Sequence, residues 1–127
     1  LARVVRILGF IPPETVRALR RACAVSLCLM GGYSLIEACA AGRPVISYDV
    51  EWHHELVING RTGRLLAEHD TVGVADAIAA MLDDPTTAKS MGEEAKALAH
   101  ARHSLALAQE TRRRMYTEIL SDRARNS

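Results

Sequence analysis

The residues whose types and spacing best suit ligand binding are two adjacent glycines and the short mixed run that follows them. Gly31 and Gly32 carry no side chains, so a ligand can come close to their backbone. A helix that begins just after them presents free N–H groups around Tyr33, Ser34 and Leu35, and the partial positive charge of a helix start suits a phosphate or a pyrophosphate. We therefore predict a phosphate-binding turn over residues 31–35.

Glu37 has two interpretations that the sequence leaves open. Ser34 and Glu37 have the spacing of a capping box, with Ser34 as N-cap and the carboxylate returning to the backbone N–H of Ser34. A carboxylate one turn from a phosphate-binding helix end can instead accept two hydrogen bonds from a ribose diol. The spacing permits both geometries.

Cysteines and histidines do not form a recognisable reactive set. The cysteines lie in apolar stretches without the spacing of zinc ligands or of a redox pair, which predicts buried packing residues: Cys23, Cys28 and Cys39. The neighbours His53 and His54 would diverge on any regular element, and the other histidines are expected at the solvent-exposed surface: His69, His100 and His103. We assign neither a metal site nor a catalytic residue.

Composition restricts the class of protein. The chain has 127 residues, of which 49% are hydrophobic and 24% charged, the composition of one globular domain rather than of a disordered segment or a coiled coil. Sixteen lysines and arginines against fifteen aspartates and glutamates give a net charge of +1, so we expect no nucleic-acid partner. No apolar run is long enough for a membrane span, and residues 1–3 do not resemble a signal peptide, so we expect a cytoplasmic protein. The arginine run at residues 112–114 is expected on a solvated face, with contact to the cytoplasmic face of a membrane as the alternative.

Four short apolar runs predict strands, and they are residues 4–8, 24–30, 45–48 and 64–66. The second run is apolar without alternation, which suits a strand buried on both faces of a parallel sheet, and the fourth is expected at a sheet edge. A short helical turn is expected within residues 51–58, and Asn59 with Gly60 predicts a tight turn.

Helices are predicted between and after these strands. The first follows Pro12 and Pro13, with an apolar face of Val16, Leu19 and Cys23 and with its arginines in water: Arg17, Arg20 and Arg21. The second predicted helix runs from Ser34 to a left-handed cap at Gly42. The last three helices are capped by Asp70, Asp84 and Ser104. The apolar set of the final helix is Leu105, Ala108, Met115, Ile119 and Leu120. This alternation predicts an α/β fold with a doubly wound, Rossmann-like parallel sheet and C-terminal helices. Because strands begin at the first residues, we expect further strands upstream in the natural domain.

Two segments carry a resemblance to a known family. Residues 31–46 read GGYSLIEACAAGRPVI and residues 55–66 read ELVINGRTGRLL. Together they resemble the donor-site segments of retaining glycosyltransferases of family 4, which have the GT-B fold, and the likeness extends over residues 4–120.

The resemblance implies that residues 1–127 are the second half of the C-terminal, nucleotide-sugar-binding domain of a two-domain hexosyltransferase. Such an enzyme transfers a sugar from a nucleotide-sugar, such as a UDP- or GDP-sugar, to an acceptor with retention, and needs neither a metal nor a cofactor. The acceptor, a glycan, a lipid or a small molecule, would bind through an N-terminal domain missing from this sequence. We therefore expect this fragment alone to be inactive.

Carried over by position, the resemblance assigns donor-binding roles around the second predicted helix. Glu37 matches the glutamate that holds the nucleotide ribose, and Gly32 matches the glycine at the helix entrance next to Gly31. The backbone of residues 33–35 would face the diphosphate, and the chain after Gly9, around Phe10 and Ile11, would lie near the base.

Leu29 departs from the family pattern, which places a glutamate near the donor sugar at this position. A leucine cannot accept a hydrogen bond or stabilise a developing positive charge. Either this branch handles its donor sugar differently, or the protein has lost full transferase activity. The alternatives are therefore a GT-B-like nucleotide-sugar-binding pseudoenzyme and a nucleotide-sugar epimerase of related fold.

Overall fold

The computed structural model describes residues 3–126, which form a three-stranded parallel sheet surrounded by five α-helices. The strands lie in the order β1 (Ser26–Leu27), β2 (Val45–Tyr48) and β3 (Gly63–Leu66). The helices are α1 (Pro13–Ala22), α2 (Gly32–Ala40), α3 (Thr71–Asp83), α4 (Pro85–His103) and α5 (Leu105–Arg125), and a 3-10 turn covers His53–Glu55.

The sheet is covered on both faces, as predicted for a doubly wound fold. Val45 and Ile46 are neighbours on β2 and are both fully buried, and because successive side chains point to opposite faces they belong to different apolar clusters. The cluster around Val45 includes residues of α2 and α4, and the cluster around Ile46 includes residues of α3 and the start of α4. The structure also confirms the predicted strand β2, the position of β3 at an edge of the described sheet, and the turn at Gly60, whose φ is +74°.

The predicted strand at residues 4–8 is wrong. These residues form no strand in the described chain, and Val4 and Ile7 are 83% and 94% exposed. A strand forms only where a neighbouring strand pairs with its backbone N–H and C=O groups. In the described sheet β1 lies at one edge, so residues 4–8 do not pair with it. The second run is also shorter than predicted: only Ser26 and Leu27 pair in register with β2, and Leu27 is about half exposed rather than buried on both faces.

Three of the predicted helix caps are confirmed. Asp70, Asp84 and Ser104 each accept a hydrogen bond from the backbone amide three residues later, at 2.9, 3.1 and 3.2 Å. Gly42, with a φ of +77°, follows the end of α2 in the left-handed conformation expected of it. In α5, however, the large members of the predicted apolar set remain largely exposed: Leu105, Met115, Ile119 and Leu120.

Burial of the cysteines agrees with the prediction at two of three positions. Cys28 and Cys39 are buried, and Cys23 is half-buried. Burial raises the pKa of Cys39 to about 12, so this thiol is neutral at physiological pH. Within residues 3–126 no helix combines the length and the apolar character that a membrane span requires.

Candidate functional site

The candidate site lies where β1 leads into α2, at the carboxyl end of the parallel strands. Helix α2 begins at Gly32, and its N-cap is Gly31, which is extended with φ −101° and ψ 109° and has no side-chain cap within the described chain. The Gly31 carbonyl accepts a hydrogen bond from the Leu35 amide at 3.2 Å, which closes the first helical turn. The prediction of Ser34 as N-cap is therefore wrong, because the N-cap is Gly31, three residues earlier.

This start of α2 rules out the capping-box interpretation of Glu37. Ser34 is the third residue of the helix and not its cap, so the reciprocal bonding of a capping box cannot form. The Glu37 carboxylate instead lies 3.5 Å from Nη2 of Arg20, and its side chain is 54% exposed. A half-exposed carboxylate one turn into the helix is what the ribose interpretation requires, and that interpretation stays a prediction.

Backbone amides at the start of α2 supply the anion-binding potential. Helix geometry leaves the amides of Gly32, Tyr33 and Ser34 without intrahelical acceptors, and all three residues are exposed. Leu35 differs, because its amide donates to Gly31 and its side chain is fully buried. The Leu35 amide is thus engaged within α2, whereas the amides of Gly32, Tyr33 and Ser34 have no acceptor within the helix. Contact of the backbone of residues 33–35 with a phosphate stays a prediction.

The two glycines serve different purposes here. A Cβ at Gly31 would come within 3.2 Å of the Ser34 Cβ, so this position allows the tight packing of the loop on the helix. A Cβ at Gly32 would meet no atom within 4 Å among the described residues, so the space in front of the helix start is open to a ligand.

Arg20 is the residue that the sequence prediction placed wrongly in water. Its side chain is only 17% exposed, and Nη1 donates a hydrogen bond to the Ser34 carbonyl at 2.7 Å. The signal was present in the spacing, because position 20 falls four residues after Val16 and three before Cys23 on the face of α1 that turns inward. An arginine can cover apolar surface with its stem while its guanidinium reaches a polar partner, so its residue type did not exclude this placement.

Two open grooves flank the start of α2. One, of about 450 Å³, lies between α1 and the end of β1. It is lined mostly by apolar residues, among them Ile11, Leu19 and Leu29, and also by Arg20, Ser26 and Ser34. The other, of about 500 Å³, lies on the Trp52 side and is lined by Gly32, Tyr33, Ile36, Trp52, Glu55 and His103. Leu29 is half-buried against the Ile46 cluster, so an apolar side chain stands where the resembled family has a glutamate.

His53 is a structural residue of the core. It is 1% exposed, and its Nδ1 lies 2.7 Å from Ser47 Oγ and 3.2 Å from the Tyr48 carbonyl. His54 points to the surface, 3.9 Å from the Asp49 carboxylate. Among residues 3–126 no group of three or more histidine, cysteine or acidic side chains is arranged to hold a metal ion.

The parallel sheet with helices on both faces, and an open helix start beyond β1, define a doubly wound, Rossmann-like α/β domain. Residues 1–98 match the glycosyl transferases group 1 family, and the chain belongs to this family. The chain is 33% identical over 88 residues to alpha-D-kanosaminyltransferase of Streptomyces kanamyceticus, covering 69% of this chain and 23% of that protein. It is 38% identical over 96 residues to D-inositol 3-phosphate glycosyltransferase of Nocardia farcinica, covering 71% of this chain and 20% of that protein.

Solved structures show the same GT-B type of fold. Sucrose-phosphate synthase from Thermosynechococcus elongatus superimposes with a TM-score of 0.83 at 26% identity, covering 91% of this chain and 30% of that chain. HepE from Anabaena, solved in complex with UDP-glucose, superimposes with a TM-score of 0.74 at 21% identity, covering 79% of this chain and 29% of that chain. The sequence therefore spans less than a third of each of these relatives.

Proposed function

We propose that this chain is the nucleotide-sugar-binding part of a retaining family 4 glycosyltransferase that acts in the cytoplasm. The whole protein would transfer a hexose from a UDP- or GDP-sugar to a glycan, a lipid or a small molecule. Membership of the group 1 family supports this proposal. The observation that carries it is the open start of α2, where unpaired amides lie beside the half-exposed carboxylate of Glu37.

The start of α2 would bind the diphosphate of the donor. The amides of Gly32, Tyr33 and Ser34 can donate to its oxygens, and the positive end of the helix dipole stabilises their charge. The same interactions would stabilise the negative charge that grows on the departing diphosphate during transfer, without requiring a metal ion.

The donor would lie along the α1 side of this helix start. Glu37 faces Arg20 of α1, so the nucleoside belongs on this side, next to the groove of about 450 Å³ that Ile11 and Leu19 line. The sugar would then extend past the helix start toward Leu29, which lines the same groove and occupies the position of the sugar-binding glutamate in the family that the chain resembles.

Leu29 favours a second candidate function, nucleotide-sugar binding without transfer. The family's glutamate at this position would hold the donor sugar, and a half-buried leucine cannot replace its hydrogen bonds. The full-length sequence separates the two candidates at little cost. An arginine and a lysine upstream, at the family's diphosphate position, favour a transferase, and their loss together with Leu29 favours a binding protein.

Calorimetric titration of the full-length protein with UDP, GDP and their sugar conjugates tests the proposal directly. A parallel assay follows release of the nucleotide from each conjugate. Binding accompanied by slow hydrolysis is the result expected of an active transferase, and it identifies the base. Tight binding without hydrolysis, even after a screen of acceptors, would favour the binding protein. Absence of binding to every nucleotide would overturn the donor-site assignment of Gly32 and Glu37.

A further inference from the structure

We propose that Arg20 is a positioning residue of this site, which holds the Glu37 carboxylate in place to receive the ribose diol. The inference rests on the proposed nucleotide-sugar function. It concerns a residue of α1 that lies outside the segment of residues 31–46 on which the family resemblance mainly depends.

Arg20 contacts both parts of the candidate site. From the last turns of α1 its side chain crosses to α2, where Nη1 donates to the Ser34 carbonyl at 2.7 Å and Nη2 lies 3.5 Å from Glu37 Oε2. Nη1 also lies 3.9 Å from Cys28 Sγ, at the end of β1. The contacts to the first turn of α2 and to the end of β1 fix the plane of the guanidinium. That plane in turn restricts where the Glu37 carboxylate can lie.

The contact with Glu37 has features that a purely stabilising ion pair would not have. Its 3.5 Å separation exceeds the roughly 2.7–2.9 Å of a strong charge-assisted hydrogen bond, and exposure of Glu37 screens the attraction. Arg20 Nε is buried without a hydrogen-bond partner in the described part of the chain, which is a cost to the fold. The bond to the Ser34 carbonyl thus anchors the guanidinium, whereas the contact with Glu37 adds little to folding stability.

The same features suit a binding site. A carboxylate has roughly four acceptor positions, so one contact with Arg20 leaves capacity for two ribose hydroxyls. Holding the side chain before the ligand arrives removes part of the entropy that an exposed glutamate would lose on binding. Loss of Arg20 should therefore weaken the recognition of the diol specifically, by roughly tenfold in affinity.

The test compares a nucleotide with its analogue that lacks the diol. Full-length protein is titrated with UDP and GDP, and whichever binds is compared with its 2′,3′-dideoxy form. The wild type should prefer the natural nucleotide. Arg20→Gln should reduce that preference about tenfold and leave affinity for the dideoxy form unchanged. Arg61→Gln, which removes the same charge from an exposed position that pairs with Glu94 of α4 away from this site, should keep the wild-type preference.

Two further variants keep the inference testable. Arg20→Lys retains the positive charge but lacks the planar guanidinium, so it should lose part of the preference for the natural nucleotide. It replaces Arg20→Gln in the experiment if that variant does not fold. In a Glu37→Ala background, Arg20→Gln should cause no further loss of preference, because the carboxylate through which it acts is already gone.

Contrary results separate the two proposals. An equal loss of affinity for both nucleotides would mean that Arg20 acts through its charge on the diphosphate or through the fold, and would overturn its positioning role. An unchanged preference in Arg20→Gln would overturn it as well. A wild-type protein that binds neither nucleotide, or binds the dideoxy form equally well, would instead overturn the assigned ribose contact of Glu37, and the role of Arg20 would fall with it.

Discussion

Gly92 of α4 lies directly against the carbonyl group of Gly42, the left-handed residue that follows α2. A Cβ at position 92 would overlap that carbonyl oxygen and come within 2.8 Å of the Arg43 Cα. Both obstacles are backbone atoms, which cannot rotate away as a side chain could. Helix α4 therefore supports the end of α2 opposite to the candidate site, and the missing side chain of Gly92 permits this close packing.

Gly92→Ala should destabilise the protein although alanine is the better helix former. The gain in helix propensity is about 1 kcal/mol, whereas forcing a methyl group this close to fixed backbone costs about 2–3 kcal/mol, the upper part of the usual range. We expect a net loss of about 1–2 kcal/mol in the free energy of unfolding, measured by denaturant titration of the full-length protein. Ala97→Gly, at an exposed position of the same helix, calibrates the propensity contribution. A more stable Gly92→Ala variant would show that the two helices can separate at no cost.

Ser47→Ala should destabilise the core beside β2. Ser47 Oγ donates to the Cys28 carbonyl at 2.9 Å and lies 2.7 Å from His53 Nδ1, and both Ser47 and His53 are buried. Removing the hydroxyl leaves buried polar atoms short of a partner, at a cost of about 1–3 kcal/mol. Thermal unfolding should show the loss, while Ser121→Ala, which removes an exposed hydroxyl from α5, should change stability by less than about 0.5 kcal/mol. Equal melting temperatures for Ser47→Ala and the wild type would contradict this role.

Local signals predicted the helices well, because their ends are set by residues close in sequence. The caps at Asp70, Asp84 and Ser104 need only a side chain and an amide three residues away. The long helices α3 and α4 could thus be placed from the sequence. Val45 and Ile46 likewise indicate β2, since a strand buried on both faces is mostly apolar.

Errors arose where a partner distant in sequence decides the outcome. Residues 4–8 have the composition of a strand, but strand formation depends on a neighbour that the pattern does not specify. The residue type of Arg20 predicts exposure to solvent, but its partners, Ser34 and Glu37, lie on another helix and keep it largely buried. The start of α2 was misplaced for the opposite reason, since Ser34 is a better N-cap by residue type than Gly31, yet the extended backbone of Gly31 begins the helix first.

Cys39 should make stability depend on alkaline pH. Its thiol is fully buried, and burial raises its pKa from the ordinary value of 9.0 to about 12. Above pH 9 the unfolded chain releases this proton while the folded chain keeps it, so the free energy of unfolding should fall as the pH rises from 9 toward 12. Denaturant titrations of Cys39→Ala over this range should give a shallower decline than those of the wild type.

The control for Cys39 is a variant that weakens the same cluster and keeps the thiol. Ala38→Gly removes a buried methyl group next to Cys39, so it should lower stability at every pH without changing the slope. Equal slopes for Cys39→Ala and the wild type would show that another group controls the alkaline decline.

Glu37→Ala should weaken donor binding more than it weakens the fold. A carboxylate that accepts hydrogen bonds from a ribose diol is worth about 1–3 kcal/mol of binding, whereas its exposed ion pair with Arg20 is worth at most about 1 kcal/mol of stability. Calorimetric titration of the full-length protein with its nucleotide measures the first quantity, and thermal unfolding without ligand measures the second. Glu94→Ala is the control. It removes a glutamate of α4 with similar exposure, whose carboxylate lies 3.0 Å from Arg61, and it should leave nucleotide affinity unchanged. If Glu37→Ala instead lowers the melting temperature and keeps wild-type affinity, Glu37 is a structural partner of Arg20, and the ribose must be held by another residue.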